Sequence, residues 1–558
     1  MPYRAPARDL RFILTHVAGF AQVMETERYA HATPDLVEAV LTEAGRIATD
    51  VLAPLNRAGD QHPARLEKGA VVSSKGFAEG YRAIAEGGWV GMAADPAHGG
   101  MGLPFALALA VDDMMSGACL ALQLKPLLSK GQIEALEQHA SVEIKALYLP
   151  KLISGEWSGT MNLTEPQAGS DVGALRTKAE PAGDGTYRIT GQKIFITWGD
   201  SDLVANVCHL VLARLPDAPE GTKGISLFMV PKFLPDAAGN PGVRNDLRVV
   251  SLEHKLGIHG SPTCVMEYHG ARGWLVGEPN KGMAAMFTMM NNARLSVAAQ
   301  GVGVAEAALQ HALAYAGDRR QGASPLSKTG PIAEHADVRR MLAVMRAEVF
   351  AARSISLACA VAGDMARATG SAEWQARAAL LTPIAKAYAT DTGCEVASLG
   401  VQIHGGMGFI EETGAAQFLR DARILPIYEG TNGIQAMDLV GRKLSDGGRA
   451  ALALIDEVVA GVGAAPPDLA GPVAGAAGAL RQAVLALLEM PLNDRFAGAT
   501  AFLRAFALVL GAEAHLKAAL ADPARLALAR VMVQRLLPEH AALLQVAHVV
   551  GQQHRGNR

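Results

Sequence analysis

The chain has 558 residues, of which 50% are hydrophobic and 19% charged, so it can bury large cores in roughly two to four structural units. Its formal net charge of -3 gives no electrostatic argument for binding nucleic acid. Abundant alanine and glycine, with only 5% aromatic residues, favour closely packed helices over β-sandwiches. Scattered cysteines without a CxxC pair argue against a disulfide or zinc framework and indicate a reducing compartment.

The N-terminus does not have the pattern of a secretory signal, because charged residues interrupt its apolar ones: Arg4, Arg8, Asp9 and Arg11. No uncharged apolar run reaches about 18 residues, so we expect no membrane span. Together these features predict a cytoplasmic protein.

The predicted elements begin with an arm and a short helix over residues 1–35. Helical periodicity follows over 36–157, with one long segment at Phe105–Lys151. Over 158–277 the pattern changes to short β-branched runs separated by Gly, Pro, Asp and Asn, which favours an antiparallel barrel. The predicted strands are Tyr187–Thr197, Val207–Ala213, Gly224–Val230, Leu247–Leu252 and Thr263–Tyr268.

Helical periodicity returns over residues 278–445 and predicts a bundle. Its candidate helices are Met283–Ala316, Glu334–Ala366, Glu373–Leu399 and Asn432–Lys443. Residues 446–558 form a further helical region, in which the Ala-, Gly- and Pro-rich stretch Ala460–Gly478 predicts a linker. Ten Lys/Arg and nine Asp/Glu in this region indicate a solvated helical surface, since a nucleic-acid-binding domain would be basic.

Several common site types are absent from the sequence. There is no GxGxxG that follows a strand and opens a helix, and no P-loop, HExxH or GxSxG motif. The sixteen histidines show no metal-ligand spacing, so we expect no metal site. His404 is most simply a packed or capping histidine.

Two segments suit a planar, phosphate-bearing ligand. The polar loop Met161–Asp171 could offer N–H groups and hydroxyls to a planar ring, with Phe195 packed against it; a β-turn with a core Phe is the alternative reading. Arginines in Asn291–Arg294 and Asp318–Gln321 suit phosphate or pyrophosphate, with surface ion pairs as the alternative.

Two further segments lie near the end of the bundle region. Val401–Phe409 is a glycine-rich turn that permits a close approach of the backbone to a ligand. Ile427–Gln435 places the carboxylate of Glu429 between an aromatic residue and a glycine. By itself this segment is more simply a helix start, with Thr431 or Asn432 as the capping residue.

In this order and spacing, the segments resemble the acyl-CoA dehydrogenase family over about residues 36–445. The shared elements are TEPQAGSD, KIFIT, QIHGGMG, RDAR and YEGT. Within the family, the chain resembles the long bacterial branch with an extra C-terminal domain, which includes the 3-methylmercaptopropionyl-CoA dehydrogenases. This resemblance lies in the sequences of Tyr3–Asp9, Met161–Gln167 and Lys255–His259.

The resemblance implies an α+β fold with four domains. An N-terminal α domain (36–157) would follow the arm (1–35) and precede a central antiparallel β-barrel domain (158–277). A C-terminal helical bundle (278–445) would carry the catalytic base, and an extra helical domain (446–558) would cover or extend the bundle at a dimer interface.

The resemblance implies FAD-dependent α,β-dehydrogenation of an acyl-CoA to a trans-2-enoyl-CoA. Glu429 would remove the pro-R α-proton while a hydride leaves the β-carbon for the flavin. The N–H of Glu429 and a ribityl hydroxyl would polarise the thioester carbonyl. Burial by substrate should raise the pKa of the carboxyl toward neutrality. Some relatives carry the base on the residue before Arg294; here that residue is Ala293, which cannot serve.

The implied cofactor contacts are Leu163, Thr164, Ser170, Phe195, Thr197, Arg319, Gln402, Gly406 and Thr431. The implied substrate contacts are Ser170, Arg294 and Gly430. Arg319, Gln402 and Gly406 would reach the FAD of a neighbouring subunit. The sequence departs from the family pattern at Gln321, Gly322 and Gly433, which affects local FAD contacts.

The implied partners are an acyl-CoA substrate and electron-transfer flavoprotein, in a homodimer or a dimer of dimers. An acyl-CoA oxidase is the near alternative, because it uses the same base and flavin. A DNA-binding alkylation-response flavoprotein is the alternative from another class, but its basic C-terminal domain has no counterpart here. The acyl chain stays open among short, branched, thioether and aromatic groups.

Overall fold

The structure is a computed structural model that describes the backbone of residues 3–553. The chain divides into two compact units, and each is described by itself. The first contains the described part of Met1–Thr49, then Pro104–Ala118 and the described part of Arg294–Arg558. The second contains Asp50–Leu103 and Cys119–Ala293.

The N-terminal helical region matches its prediction except at three places. Its elements are α1 (Ala7–His16), α2 (Ala21–Met24), α3 (Pro34–Ile47), α4 (Ala53–Gln61), β1 (Arg65–Glu67), β2 (Ala70–Val72), α5 (Phe77–Glu86), α6 (Phe105–His139) and α7 (Val142–Ile153). Two helices occupy the predicted arm, and the β1–β2 hairpin was not predicted. The helical segment predicted over Phe105–Lys151 divides into two helices, because the Ser141 hydroxyl accepts from the N–H of Ile144 and starts a new helix.

All five predicted strands are confirmed in the second unit. Besides β1 and β2, the strands there are β3 (Trp157–Asn162), β4 (Lys178–Pro181), β5 (Tyr187–Thr197), β6 (Asn206–Arg214), β7 (Ile225–Pro231), β8 (Phe233–Pro235), β9 (Pro241–Arg244), β10 (Leu247–Leu252) and β11 (Thr263–Val276). The strands β5 and β10 have the predicted bounds, β6 and β7 differ from theirs by one residue at each end, and β11 continues eight residues beyond the predicted Tyr268.

Seven of these strands form one sheet that closes into a barrel, while β8 pairs separately with β9. Each strand pairs with the next one in the order β11, β5, β4, β6, β7, and β7 pairs with β11 to close the ring. The strand β10 extends the ring at β11, and β3 extends it at β6. The pairings β3–β6 and β4–β6 are parallel, which strand spacing alone did not predict. The interior is apolar, with Ile189, Val211, Phe228 and Met266 fully buried.

Long helices dominate the first unit. After α8 (Gly282–Asp318), whose first part belongs to the second unit, come α9 (Ala336–Thr369), α10 (Ala372–His404), α11 (Ala415–Ala422), α12 (Asn432–Asp438), α13 (Arg449–Gly461), α14 (Pro467–Glu489), α15 (Leu492–Ala521), α16 (Leu526–Val531) and α17 (Glu539–Gln553). The four helices predicted for residues 278–445 are confirmed, although π-helical turns replace the last part of Asn432–Lys443.

Small residues let these helices approach each other closely. A Cβ added at Gly301 on α8 would lie 2.4 Å from the carbonyl oxygen of Ala389 on α10. A Cβ at Gly303 would lie 2.5 Å from the carbonyl oxygen of Asp113 on α6. The predicted close helix packing of an Ala- and Gly-rich chain therefore holds for the bundle.

The predicted linker at Ala460–Gly478 is wrong over most of its length. Helix α14 begins at Pro467, where proline is well placed in a first turn. Its buried residues recur at helical spacing: Leu469, Val473, Ala476, Leu480, Val484 and Leu487. The apolar period therefore outweighs the low helix propensity of its glycines.

Four described helices are long and apolar enough to cross a membrane by length and composition alone: α6, α9, α14 and α15. Their apolar windows are 94%, 83%, 33% and 72% buried inside the protein, respectively. Protein therefore covers most of the apolar surface in three of the four, and the absence of a membrane span stays a prediction.

Candidate active site

Glu429 lies in a short loop between α11 and α12, in a backbone conformation that non-glycine residues rarely adopt. Its φ is +56° and that of Gly430 is +87°. The side chain of Gln435 donates from Nε2 to the carbonyl oxygens of Glu429 (3.2 Å) and Gly430 (3.3 Å). The left-handed turn is thus held by side-chain donors within the same segment.

Two cations flank the Glu429 carboxyl. They are Arg294 on α8 and Lys386 on α10, and both side chains are buried. Burial raises the pKa of Glu429 to about 7, while the charges of Arg294 and Lys386 oppose that rise. A carboxyl with a pKa near neutrality can accept a proton at physiological pH and release it again.

Arg294 is only weakly paired. Its Nη1 is 3.8 Å from Oδ2 of Asp438, which is itself bound more closely by Arg442 at 2.6 Å. The Nε of Arg294 is a buried nitrogen with no hydrogen-bond partner among the described residues. Desolvation lowers the pKa of this guanidinium, although the charges of Asp438 and Glu429 oppose the shift. The unsatisfied donor is available for a polar group of a ligand.

Thr431 caps the helix that follows the base. Its Oγ1 accepts from the N–H of Ile434 at 3.2 Å, so the reading of this segment as a helix start is confirmed. The capping role and a catalytic role for Glu429 are compatible, because the cap uses Thr431 and leaves the carboxyl free. On the other side, the Tyr428 hydroxyl donates to Oε1 of Gln300.

The polar loop predicted from Met161–Asp171 is fixed by a buried ion pair in the second unit. Lys193 Nζ lies 2.8 Å from Glu165 Oε1 and also donates to the carbonyl oxygen of Leu163 at 2.9 Å. Glu165 in turn accepts from the N–H groups of Arg176 (2.7 Å) and Thr177 (3.0 Å). Despite its burial, the pKa of Glu165 is lowered to about 2, because Lys193 and these donors outweigh desolvation.

Phe195 is presented to solvent by a bulge in β5. Between the pairs Ile196–Cys264 and Lys193–Met266, two residues of β5 stand opposite one of β11. Phe195 has a φ of +61° and its side chain is 59% exposed. The alternative reading of Phe195 as a core residue is therefore wrong.

The neighbours of Phe195 fit a planar polar ring. The carbonyl of Thr164 accepts from the N–H of Ile194 at 2.9 Å, which ties the polar loop to the same bulge. Leu163, Thr164 and Thr197 are half-buried, and Ser170 is exposed. An exposed aromatic face beside partly exposed hydroxyls suits a flat heteroaromatic group with polar edges.

The remaining predicted contacts lie at one end of a helix pair in the first unit. Tyr315 of α8 stacks on His404 of α10 with ring centroids 4.2 Å apart, so the C-terminal ends of these helices meet. Arg319 follows that end of α8, and Gln402 and Gly406 flank His404; all three are exposed. His404 itself is buried and donates from Nδ1 to the carbonyl of Gly400, so the reading of it as a packed histidine is confirmed.

Three family models match the chain in order. The N-terminal domain of acyl-CoA dehydrogenase matches residues 37–156, the middle domain 160–271 and the C-terminal domain 280–444. The 3-methylmercaptopropionyl-CoA dehydrogenase of Ruegeria pomeroyi is 50% identical over 468 residues, which cover 82% of this chain and 79% of that protein. The chain belongs to the acyl-CoA dehydrogenase family.

Further similarities extend beyond this relative. A butyryl-CoA dehydrogenase of Syntrophomonas wolfei is 36% identical over 79% of the chain and 76% of that protein. Caenorhabditis elegans ACDH-11, solved in complex with C11-CoA, has a TM-score of 0.78 at 20% identity and covers 99% of this chain and 91% of that one. An acyl-CoA dehydrogenase from Bacillus anthracis complexed with FAD has a TM-score of 0.75 at 23% identity, covering 92% and 88% of the two chains.

These comparisons confirm the predicted fold class. Acyl-CoA dehydrogenases are FAD-dependent oxidoreductases, and the helical, barrel and bundle regions of this chain have the family order. Structural similarity to ACDH-11 over 99% of the chain includes the extra C-terminal helices, which lie beyond the three family models.

Within each unit the structure brings together part of the predicted acyl-CoA dehydrogenase site. Arg294, Glu429 and Gly430 are neighbours in the first unit, whereas Arg319, Gln402 and Gly406 are exposed at the α8–α10 end of that unit. Leu163, Thr164 and Phe195 are linked through the β5 bulge in the second unit. Among the described residues, no group of three His, Cys, Asp or Glu side chains could hold a metal ion.

Sequence reasoning missed the lysines that organise both parts. Lys193 stands in KIFIT and Lys386 lies 43 residues before Glu429. A lysine in an otherwise apolar strand or helix is a usable signal, because lysine is almost never fully buried without a partner. The signal does not identify the partner, since both contacts depend on tertiary structure.

Proposed function

We propose that this chain catalyses the FAD-dependent α,β-dehydrogenation of an acyl-CoA thioester to a trans-2-enoyl-CoA, with Glu429 as the base. The observation that carries the proposal is the carboxyl of Glu429, with its pKa raised to about 7, in a loop held by Gln435 and flanked by Arg294 and Lys386. A base for a carbon acid needs a pKa well above that of an ordinary carboxyl.

Glu429 would take the α-proton on its carboxylate and hold it as the neutral acid. The α-proton of a thioester is weakly acidic, so negative charge that develops on the carbonyl oxygen needs a donor nearby. The N–H of Glu429 donates no hydrogen bond to another described residue and suits that task. Arg294, with its unpaired Nε, would contribute positive charge along the path of the CoA group.

FAD, when bound, supplies the acceptor for the hydride that leaves the β-carbon. Phe195 would pack on its ring, while Leu163, Thr164 and Thr197 would bind the polar edges of the ring. Ser170 would contact both cofactor and substrate. Thr431 keeps a hydroxyl proton to donate after accepting from Ile434, and would use it toward FAD.

We further propose a homodimer or dimer of dimers in the cytoplasm. The exposed Arg319, Gln402 and Gly406 would then contact the FAD of a neighbouring copy, as the family resemblance implies. Reducing equivalents would pass to electron-transfer flavoprotein. The exposed apolar side chains of Met407 and Phe409 beside Gly406 support a covered surface there.

We propose 3-methylmercaptopropionyl-CoA as the first substrate to test, because 50% identity to an enzyme of that name is the strongest substrate clue. Butyryl-CoA is the second, since the relative from Syntrophomonas wolfei is 36% identical. Both are short acyl groups that present the same α- and β-carbons to the base.

The experiment is an assay of the purified flavin-bound enzyme with short, branched, thioether and aromatic acyl-CoAs and an artificial electron acceptor. Glu429→Gln should keep the flavin and lose turnover by at least about a thousandfold, because no proton acceptor remains. Glu412→Gln, which changes an exposed carboxyl of the same unit, is the control. Full turnover in Glu429→Gln would refute the assignment of the base.

A second measurement separates dehydrogenase from oxidase. The reduced enzyme should react slowly with oxygen and rapidly with electron-transfer flavoprotein. Rapid turnover with oxygen as the acceptor would replace the dehydrogenase proposal with an acyl-CoA oxidase. Salt-dependent DNA binding at physiological ionic strength would instead support the alkylation-response alternative.

A further inference from the structure

Lys386 connects α10 to the loop that carries Glu429. Its side chain is fully buried, with a relative exposure of 0%. Its Nζ donates to the carbonyl oxygen of Gly430 at 2.9 Å and to Oδ1 of Asn432 at 2.9 Å. The buried ammonium group thus donates two hydrogen bonds to residues within three positions of the base.

Asn432 strengthens the same connection with its amide group. Its Nδ2 lies 2.8 Å from Asp391 Oδ1, 3.0 Å from Thr390 Oγ1 and 3.2 Å from the carbonyl oxygen of Ala387, and its two N–H groups are shared among these acceptors. All of these acceptors lie within about one turn of Lys386 on α10. One stretch of α10 therefore holds the start of α12 in two ways, through the ammonium group of Lys386 and through acceptors for the amide of Asn432.

The loop needs such restraint because its backbone is unfavourable. Glu429 and Gly430 have φ values of +56° and +87°. A left-handed conformation costs a non-glycine residue of order 1 kcal/mol or more, so it persists only where its surroundings impose it. Gln435 provides a neutral donor to the Gly430 carbonyl, and Lys386 provides the charged and stronger one.

We propose that Lys386 is a positioning residue for the proposed base: it clamps the carbonyl of Gly430, fixes the direction of the Glu429 side chain, and places a positive charge beside the carboxyl. The proposal rests on the proposed role of Glu429 and adds a second residue to it. Lys386 would act through Glu429 without touching the substrate.

The charges around Glu429 define the expected sign of the effect. Arg294 approaches from α8 and Lys386 from α10; Asp391 on α10 and Asp438 on α12 face these two cations. Burial lowers the pKa of Lys386 to about 8, although the charge of Glu429 opposes the shift. Lys386 is therefore charged where the base works, and its removal should raise the pKa of Glu429 further.

The test compares Lys386→Met and Lys386→Arg with the wild-type enzyme, using the best substrate of the acyl-CoA panel. In Lys386→Met, kcat should fall by about 10- to 100-fold, the loss expected for a charge-assisted hydrogen bond, with little change in KM. The acid limb of its kcat/KM profile should move to higher pH. Lys386→Arg keeps the charge, so its acid limb should stay at the wild-type position.

Lys232→Met is the matched control, because it removes a mostly buried lysine that pairs with Asp200 at 2.5 Å in the second unit. Its acid limb should coincide with that of the wild type. A purely structural role for Lys386 would lower activity without moving the acid limb, and that result would overturn the proposal.

Lys386→Gln provides a second route if Lys386→Met gives no soluble protein. Glutamine keeps a donor for the Gly430 carbonyl but loses the charge, so the acid limb should again move to higher pH. An unmoved limb in this variant also overturns the proposal. Failure of the proposed function is separate, because it appears as full turnover in Glu429→Gln whatever the lysine variants do.

Discussion

Replacing Glu429 by glutamine should stabilise the protein at alkaline pH while it abolishes turnover. Burial raises the pKa of this carboxyl from its ordinary value of 4.5 to about 7. Between these two values the folded state binds more protons than the unfolded state. The contribution of Glu429 to stability is therefore most favourable below pH 4.5, and it falls as the pH rises to 7.

The magnitude follows from the same pKa values. A displacement from 4.5 to about 7 corresponds to about 3 kcal/mol over the full titration. Glu429 keeps some exposed surface, so we expect about 1 to 2 kcal/mol after allowance for solvent screening. This cost is present at pH 8 and mostly absent at pH 5.

Thermal unfolding of the flavin-bound wild type and Glu429→Gln at pH 5 and pH 8 measures the difference. The rise in unfolding temperature from the wild type to the variant should be larger at pH 8 than at pH 5 by about 1–3 °C, since 1 kcal/mol shifts a unit of 150–250 residues by about 2–4 °C and this larger unit by less. Glu412→Gln, an exposed carboxyl of the same unit, should show no pH-dependent gain. An equal gain at both pH values, or a larger one at pH 5, would refute the reasoning.

Three further predictions concern the flavin-side loop and the helix packing. Lys193→Met leaves Glu165 buried without its cation, which should cost about 3–5 kcal/mol and deplete flavin after gel filtration; unchanged unfolding and flavin content would contradict this. Phe195→Ala removes an exposed ring, so unfolding of the flavin-free chain should change by no more than about 0.5 kcal/mol while flavin dissociates faster; equal dissociation rates would exclude ring contact. Gly301→Ala places a Cβ 2.4 Å from the Ala389 carbonyl oxygen, so the free energy of unfolding should fall by about 1–3 kcal/mol with KM unchanged, and a wild-type free energy of unfolding would count against close packing.

Elements with a strong period or a complete motif were predictable from the sequence. Strand β5 begins and ends where its alternation predicts, and α8, α9 and α10 lie within a few residues of their predicted bounds. Helix α14 was misread, because its Gly, Ala and Pro residues suggest a turn when each is weighed alone. The spacing of its buried leucines and valines carries the helix signal instead, since packing of an apolar face supplies most helical stability.

The site was only partly predictable, because backbone conformation and distant contacts decide its geometry. Nothing local requires Phe195 or Glu429 to have positive φ, and both are unfavourable for their residue types. The pair Lys193–Glu165 joins residues 28 positions apart. Lys386 reaches Gly430 over 44 positions. Such contacts leave no periodic trace in the sequence.

Both halves of the predicted chemistry follow the same construction. A non-glycine residue in a left-handed conformation, Phe195 in one unit and Glu429 in the other, is held by a buried lysine that donates to a nearby carbonyl. Lys193 lies in β5 itself, two residues before Phe195, and ties the bulge to the polar loop through the Leu163 carbonyl, whereas Lys386 reaches the Glu429 loop from α10. A lysine suits this task better than a neutral donor, because its charge also acts on the adjacent carboxyl. It lowers the pKa of Glu165, and it limits the rise in the pKa of Glu429. The two carboxyls differ in their direct partners. Glu165 forms an ion pair and hydrogen bond with Lys193 and also accepts from Thr177 and Arg176, whereas Arg294 and Lys386 act on Glu429 only through their charges.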